Sequence, residues 1–217
     1  MAIRNIIVQA LAFCFASIGF GAAEAREAIQ IKHIDQSIKI DGILSEAAWS
    51  SAKPITTFER FLPTAGEEPP GKTEIKFMQN ESHLFISATI SNTPYAPLGR
   101  ICPREQINDD DQIGIYIDTI GDGRTGYIFY FNALGIQQDM RYSHGNWFVE
   151  YNTIYESMGR KSETGYVLEI AIPFRSLQYP NVETPNWRGM ITRKVPHLGS
   201  KYSFPKLERN HTRMFQQ

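Results

Sequence analysis

The chain has 217 residues and carries 22 Lys and Arg against 23 Asp and Glu, a formal net charge of −1 at pH 7. A chain of this size fits one domain around one core, and its mixed, balanced charge argues against a nucleic-acid partner, which requires clustered cationic charge. Of the 2 Cys, Cys14 falls in an N-terminal leader, so Cys102 stands alone in the remainder and an intramolecular disulfide is excluded.

Residues 1–25 read as a signal peptide. Arg4 supplies a positive start, residues 6–20 form an apolar stretch broken only by Gln9, Ser17 and Gly19, and Ala23-Glu24-Ala25 is an A-x-A cleavage site. The apolar run is shorter than the ~20 residues that span a bilayer, and no second run of that length follows. The mature chain is therefore expected to start at Arg26, without a transmembrane helix, in the periplasm, at the outer membrane or outside the cell. One unpaired mature cysteine favours the envelope of a Gram-negative bacterium over a disulfide-stapled secreted domain.

Asp41-Gly42 signals a turn, and residues 45–52 form the one clear helical stretch, stopped before Pro54. From Thr73 onward the pattern has period two, which sends alternate side chains to opposite sheet faces. Leu84, Ile86, Ala88 and Ile90 alternate with Phe85, Ser87 and Thr89; Ile113, Ile115 and Ile117 alternate with Gly114, Tyr116 and Asp118. Residues 121–126, rich in Gly, join that strand to 127–132 as a hairpin. Further strands are expected at 136–142, near 152–158 and at 165–172. Turns every 8–12 residues predict an all-β fold, an antiparallel, jelly-roll-like β-sandwich with one short N-terminal helix, over residues 26–198. Residues 199–217, lacking clear periodicity, are assigned to a C-terminal tail.

No catalytic constellation stands out: there is no G-x-S-x-G elbow, H-E-x-x-H helix or phosphate loop, and the 5 His are scattered. Paired carboxylates for glycoside hydrolysis have candidates in Asp109, Asp110, Asp111, Asp118, Glu150 and Glu169, but that reaction needs a set separation. Asp111, Asp118 and Asp122 offer hard oxygen ligands for calcium; turns in which Asp side chains accept local backbone hydrogen bonds account for the same residues. Trp49, in the helix beside alanines, reads as a core anchor. Trp147 follows the polar turn Ser143-His144-Gly145-Asn146, where an indole can stack on the apolar face of a sugar ring while flanking polar groups bond its hydroxyls. Tyr95, Tyr151 and Trp187 are further stacking candidates, with Arg100, Arg104, Asn132 and Asp139 as flanking polar groups. Arg100 and Arg104 also suit surface pairs with the acidic cluster 109–111.

The segment Ile40-Asp41-Gly42-Ile43-Leu44-Ser45-Glu46-Ala47-Ala48-Trp49 resembles the opening I-D-G-x-L-x-E-x-x-W of family 9 carbohydrate-binding modules. Asp110-Asp111-Gln112-Ile113, Ile117-Asp118, Tyr127-Ile128-Phe129, Phe131-Asn132, Gly135, Gly165-Tyr166, Glu169-Ile170-Ala171-Ile172-Pro173-Phe174 and Leu177 follow in the family's order, covering residues 30–195. The resemblance implies a β-sandwich that binds polysaccharide, sometimes with structural calcium, as an accessory to glycoside hydrolases and carbohydrate catabolism. In characterised members two tryptophans clamp the sugar; Trp49 matches a structural position, which leaves Trp147 and Trp187. The subgroup with the best match precedes an uncharacterised C-terminal domain, thought to be a β-barrel, and residues 202–207 resemble the start of that continuation. The subgroup usually has Asp after the first Trp of a motif ended by a second Trp, where this chain reads Trp147-Phe148-Val149-Glu150-Tyr151.

The leading expectation is a secreted, non-catalytic polysaccharide-binding module. Two further readings are an interaction module for an outer-membrane barrel, and a sandwich carrying b-type haem between ligands drawn from Met78, Met140, Met158 and His144.

Overall fold

The computed structural model describes Ile29 and residues 31–181 and 187–207. The expected signal peptide and residues 208–217 of the expected tail lie outside these. In chain order the strands are β1 (Lys32–His33), β2 (Glu59–Leu62), β3 (Lys72–Gln79), β4 (His83–Ser91), β5 (Gln112–Asp118), β6 (Thr125–Asn132), β7 (Gln137–Ser143), β8 (Asn146–Phe148), β9 (Glu156–Ser162), β10 (Gly165–Pro173), β11 (Arg188–Val195) and β12 (Ser200–Phe204). The helix α1 (Ala47–Ser51) sits between β1 and β2 and is shorter than the 45–52 expected. Two sheets form the sandwich: five strands in the order β1-β3-β4-β10-β9, and seven in the order β2-β12-β11-β5-β6-β7-β8. All neighbours pair antiparallel except β1 with β3.

The alternation read from the sequence fixes which faces meet. Leu84, Ile86, Ala88 and Ile90 of β4 join Ile113, Ile115 and Ile117 of β5 and Phe129 and Phe131 of β6 in the core between the sheets. The opposite faces are apolar as well. On the outside of the five-stranded sheet, Met78, Phe85 and Ala171 are covered by Ile34, Ile38, Trp49 and Ala52 of the N-terminal segment. On the outside of the seven-stranded sheet, Tyr116, Ile128, Met190 and Leu207 form a third cluster with Phe61, Tyr130, Met140 and Tyr142 against it. Gly114 makes room there: a Cβ at this position would lie 2.7 Å from Cε1 of Tyr130, so its absence lets that ring lie across β5.

The N-terminal segment is held by one buried carboxylate. Glu169 projects from the outer face of β10, and its Oε2 accepts the backbone N–H groups of Asp41 (3.0 Å), Gly42 (2.8 Å) and Ile43 (3.2 Å). Its Oε1 accepts the indole N–H of Trp49 at 3.1 Å. Gly42 has φ +78°, and a Cβ there would stand 2.9 Å from Cγ of Arg160, so glycine serves both backbone and space. The Asp41-Gly42 turn, Trp49 and Glu169 are thus parts of one contact.

Three boundaries differ from expectation. The strand expected near 152–158 begins at Glu156, because residues 149–155 cross from one sheet to the other. β11 and β12 were not expected. Ser200–Phe204 lies between β11 and β2 with Tyr202 and Phe204 in the core, so the sandwich extends beyond the boundary placed at 198. Inward Arg193 and outward Thr192 and Lys194 disguise the apolar alternation of β11.

Glu169→Gln replaces one acceptor oxygen by an amide donor that must face either Trp49 or the three backbone N–H groups. Unfolding in urea is expected to show a loss of about 1–3 kcal/mol for Glu169→Gln and more for Glu169→Ala, which leaves the Gly42 N–H and the Trp49 indole N–H unmet, while the N–H groups of Asp41 and Ile43 keep Lys39 O and Asp41 Oδ1. Equal stability of both variants and wild type would refute the anchoring role.

Candidate functional site

Strand registers divide the sequence-predicted residues between the two ends of the sandwich. One end carries the loops 92–111, 133–136 and 196–199; the other carries 119–124, 144–145, 174–181 and Trp187. Tyr95 and Arg100 lie at the first, Trp147, Tyr151 and Trp187 at the second.

At the Tyr95 end, acidic side chains are spent on loop closure. Asp110 accepts Arg100 Nε at 2.8 Å and Asn132 Nδ2 at 2.9 Å. Burial works to raise its carboxyl, but the hydrogen bonds from Asn132 and Arg100 outweigh that and hold it below its usual value. Asn132 is fully buried, and its Oδ1 accepts the N–H groups of Leu134 (3.0 Å) and Ile136 (2.9 Å). Asp111 is buried and accepts the N–H of Leu98 at 2.7 Å; burial pushes its carboxyl up. Tyr95 is half-buried against the core, its ring 4.6 Å from that of His197, and burial raises its hydroxyl to about 12.

Arg104 and Asp139 pair beside the crossing segment. The Asp139 carboxylate is fully buried, bonded to Arg104 and to the N–H of Thr153 at 2.9 Å, with Tyr155 Oη at 3.5 Å. Arg104 lies 5.0 Å above the Tyr155 ring and donates to Thr153 O at 3.1 Å. Asn132 and Asp139 were expected to bond a ligand; both are buried with their acceptors committed to the fold. Arg104 holds the crossover of the chain between the sheets.

The aspartates considered for calcium do not come together either. Asp118 is buried and its carboxylate accepts the N–H groups of Ile120, Gly121 and Gly123 at 3.0, 2.7 and 2.7 Å. Asp122 accepts those of Arg124 (2.7 Å) and Thr125 (3.3 Å), while Asp111 lies at the opposite end. Among the described residues no group of three or more His, Cys, Asp or Glu side chains is placed to hold a metal ion. These are turn-forming aspartates. The residues considered as haem ligands are divided between the sheets. Met78 is buried under the N-terminal segment and Met158 is on edge strand β9 of the same sheet, whereas Met140 is on β7 of the other sheet and His144 in the turn that follows it. The carboxylates considered for hydrolysis are spread in the same way: Glu169 is on β10 of the five-stranded sheet, Asp109, Asp110 and Asp111 directly precede β5 of the seven-stranded one, Asp118 ends that strand and Glu150 lies in the crossing segment.

The second end is aromatic. Trp187 is half-buried, with ring centroids 6.1 Å from Phe174 and 5.6 Å from the exposed Tyr179. Tyr151 packs 5.8 Å from Tyr127 and its hydroxyl reaches Ser176 O at 3.4 Å, so Tyr151 and Trp187 flank the same turn, Phe174–Ser176. Arg141 lies 5.5 Å over the Tyr127 ring and donates to Gln178 Oε1 at 3.1 Å. Gln178 is held by the Tyr127 hydroxyl (2.9 Å) and by Thr119 (2.5 Å). Trp147 is 44 % exposed on β8, 5.0 Å from Tyr142, and precedes the exposed Phe148. Rings presented beside fixed polar groups are what stacking on a sugar requires.

Arg141, Gln178, Tyr179 and Phe148 were missed from sequence. Arg141 is one polar position of the strand expected at 136–142, and nothing local marks it as facing the Tyr127 ring and Gln178. Tyr179-Pro180 carried a usable signal, an aromatic residue in a proline-bounded loop.

Two packed sheets, an aromatic end and loops closed by carboxylates define the class of fold, a β-sandwich whose loops carry the exposed rings. The chain belongs to the carbohydrate family 9 binding domain-like family, whose model matches residues 40–191. Its fold is similar to that of a family 9 module from Caldicellulosiruptor kristjanssonii in complex with cellotriose, at 12 % identity over 80 % of this chain and 83 % of that one, with a TM-score of 0.55. The glucose complex of such a module from that organism gives 11 % identity, 80 % and 85 % coverage, and a TM-score of 0.53. A putative carbohydrate-binding protein from Bacteroides uniformis gives 12 %, 83 % and 91 %, and 0.59. Among curated proteins none matches.

Two outcomes check this assignment of roles. Calcium and a chelator are expected to leave the melting temperature unchanged, whereas Asp118→Ala lowers it by leaving three backbone N–H groups unmet. Because the Asp110 carboxyl is held low in the fold, its stabilisation is present above its unfolded value of about 4 and fades as pH falls through the folded value. The stability gap between wild type and Asp110→Asn should therefore narrow progressively in acid urea melts.

Proposed function

We propose that the protein is a secreted, non-catalytic module that binds polysaccharide at the Trp187 end of the sandwich. The observation that carries this reading is the gathering of Tyr151, Trp187 and Tyr179 around one turn beside Arg141 and Gln178, with the half-exposed Trp147 on the neighbouring edge strand. Family membership supports it, as do the glucose and cellotriose held by modules of the same fold. The proposed setting is the cell envelope, as an accessory to carbohydrate breakdown; no helix among the described residues is long and apolar enough to cross a membrane.

Calorimetry against xylan, cellulose and cell-wall glycans tests the proposal. At least one is expected to bind, and Trp187→Ala or Trp147→Ala should weaken that binding by about tenfold or more, roughly 1.4 kcal/mol or greater. Tyr95→Phe, at the other end, should leave it unchanged. Folded protein that binds no member of the panel would overturn the reading.

A further inference from the structure

The solvent-reaching arginines of the two ends differ in their partners. At the Tyr95 end and along the adjoining edge, Arg100 pairs with Asp109 and Asp110, and Arg104 with Glu105 and Asp139, while the fully buried Arg193 donates to Pro70 O and Thr73 Oγ1 inside the sandwich. At the Trp187 end Arg124, Arg141, Arg175 and Arg188 lie in or beside the loops, and none has a carboxylate within 4.0 Å among the described residues, where Asp118 and Asp122 are occupied by backbone N–H groups. Arg141 is the most constrained of them. Its guanidinium is stacked on Tyr127 and fixed by Gln178, and its Nε–H is enclosed with no acceptor among the described residues. The indole N–H of Trp187 is likewise enclosed and unmet. Among the described residues, two buried donors without acceptors, a cation without a counter-charge and three further arginines in or beside the same loops describe a place short of negative oxygen.

We infer that the Trp187 end recognises a carboxylate-bearing glycan, one containing uronic acid, through Arg141 and its neighbouring arginines. The inference rests on the sugar-binding reading above and narrows its ligand class. The planar guanidinium matches a carboxylate in two-point geometry, while the aromatic rings accept the sugar face. Stacking on Tyr127 holds the fork in place before the ligand arrives, which lowers the ordering cost of binding.

The test compares oligogalacturonate, its fully methyl-esterified form and cello-oligosaccharide by calorimetry on the full chain. The acid is expected to bind about fivefold or more tighter than the ester at about 20 mM NaCl, and the gap should close at about 500 mM as screening shortens the reach of the charges. Arg141→Gln should abolish the preference for the acid, and Arg141→Lys should retain part of it, since the charge survives and the fork does not. Should Arg141→Gln not fold, the double variant Arg124→Gln, Arg175→Gln at exposed positions should weaken acid binding and its salt dependence. Equal affinity for acid and ester, or a preference indifferent to these variants, overturns the inference. Binding of cello-oligosaccharide alone overturns it while leaving the sugar-binding reading intact; binding of none of the three, nor of any neutral glycan, overturns both.

Discussion

The fold turns on a carboxylate placed where few are found, buried on the outer face of a central strand. Glu169 receives four N–H donors from a segment more than 100 residues earlier in the chain. Burial raises its carboxyl above the usual value in spite of the bonds that lower it, so the charge is costly and only the full set of donors makes the site tenable. Those donors come from the turn and helix that cover Met78 and Phe85, so polar anchor and apolar lid form together. Fully burying side chains such as Phe85 and Met78 stabilises by about 1.5–3 kcal/mol each, a gain the five-stranded sheet forgoes if the segment lifts away.

That arrangement separates structure from recognition. The N-terminal segment occupies the outside of one sheet, and the Tyr95 end is closed by Asp110, Asn132 and Asp111 acting on neighbouring backbone and on Arg100. Arg104, Asp139 and Thr153 fasten the crossover between the sheets. What remains with half-exposed rings, fixed amides and unpaired cations is the Trp187 end. Carboxylates are thus used as internal acceptors where the chain must turn, and among the described residues the arginines at the aromatic surface have no carboxylate partner.

Much of the fold was legible because strands β4, β5, β6 and β10 alternate cleanly and their turns carry Gly and Asp. The resemblance of residues 40–49 and 165–174 to a family pattern is explained by a single contact, Glu169 with the Asp41-Gly42 turn and Trp49. β11 and β12 were hidden because an inward Arg193 breaks one pattern and β12 is only five residues long. The site was less legible. Trp147, Tyr151 and Trp187 do share an end of the sandwich, but a sequence does not show whether an Asn or Asp beside them points to solvent or inward. Asn132 and Asp139 point inward because loop closure and the crossover need acceptors there, whereas Arg141 and Gln178 become neighbours only when the turn after β10 folds against β7.

Because the chain has 3 Trp, their indole N–H resonances separate the two roles in one experiment. In a glycan titration followed by nitrogen–proton correlation spectra, the Trp187 and Trp147 signals should move, while that of Trp49, bonded to Glu169, stays fixed and exchanges slowest with solvent. A Trp49 signal that shifts on saturation while the other two remain still would contradict the account, because it would place the ligand on the anchor and not on the aromatic end.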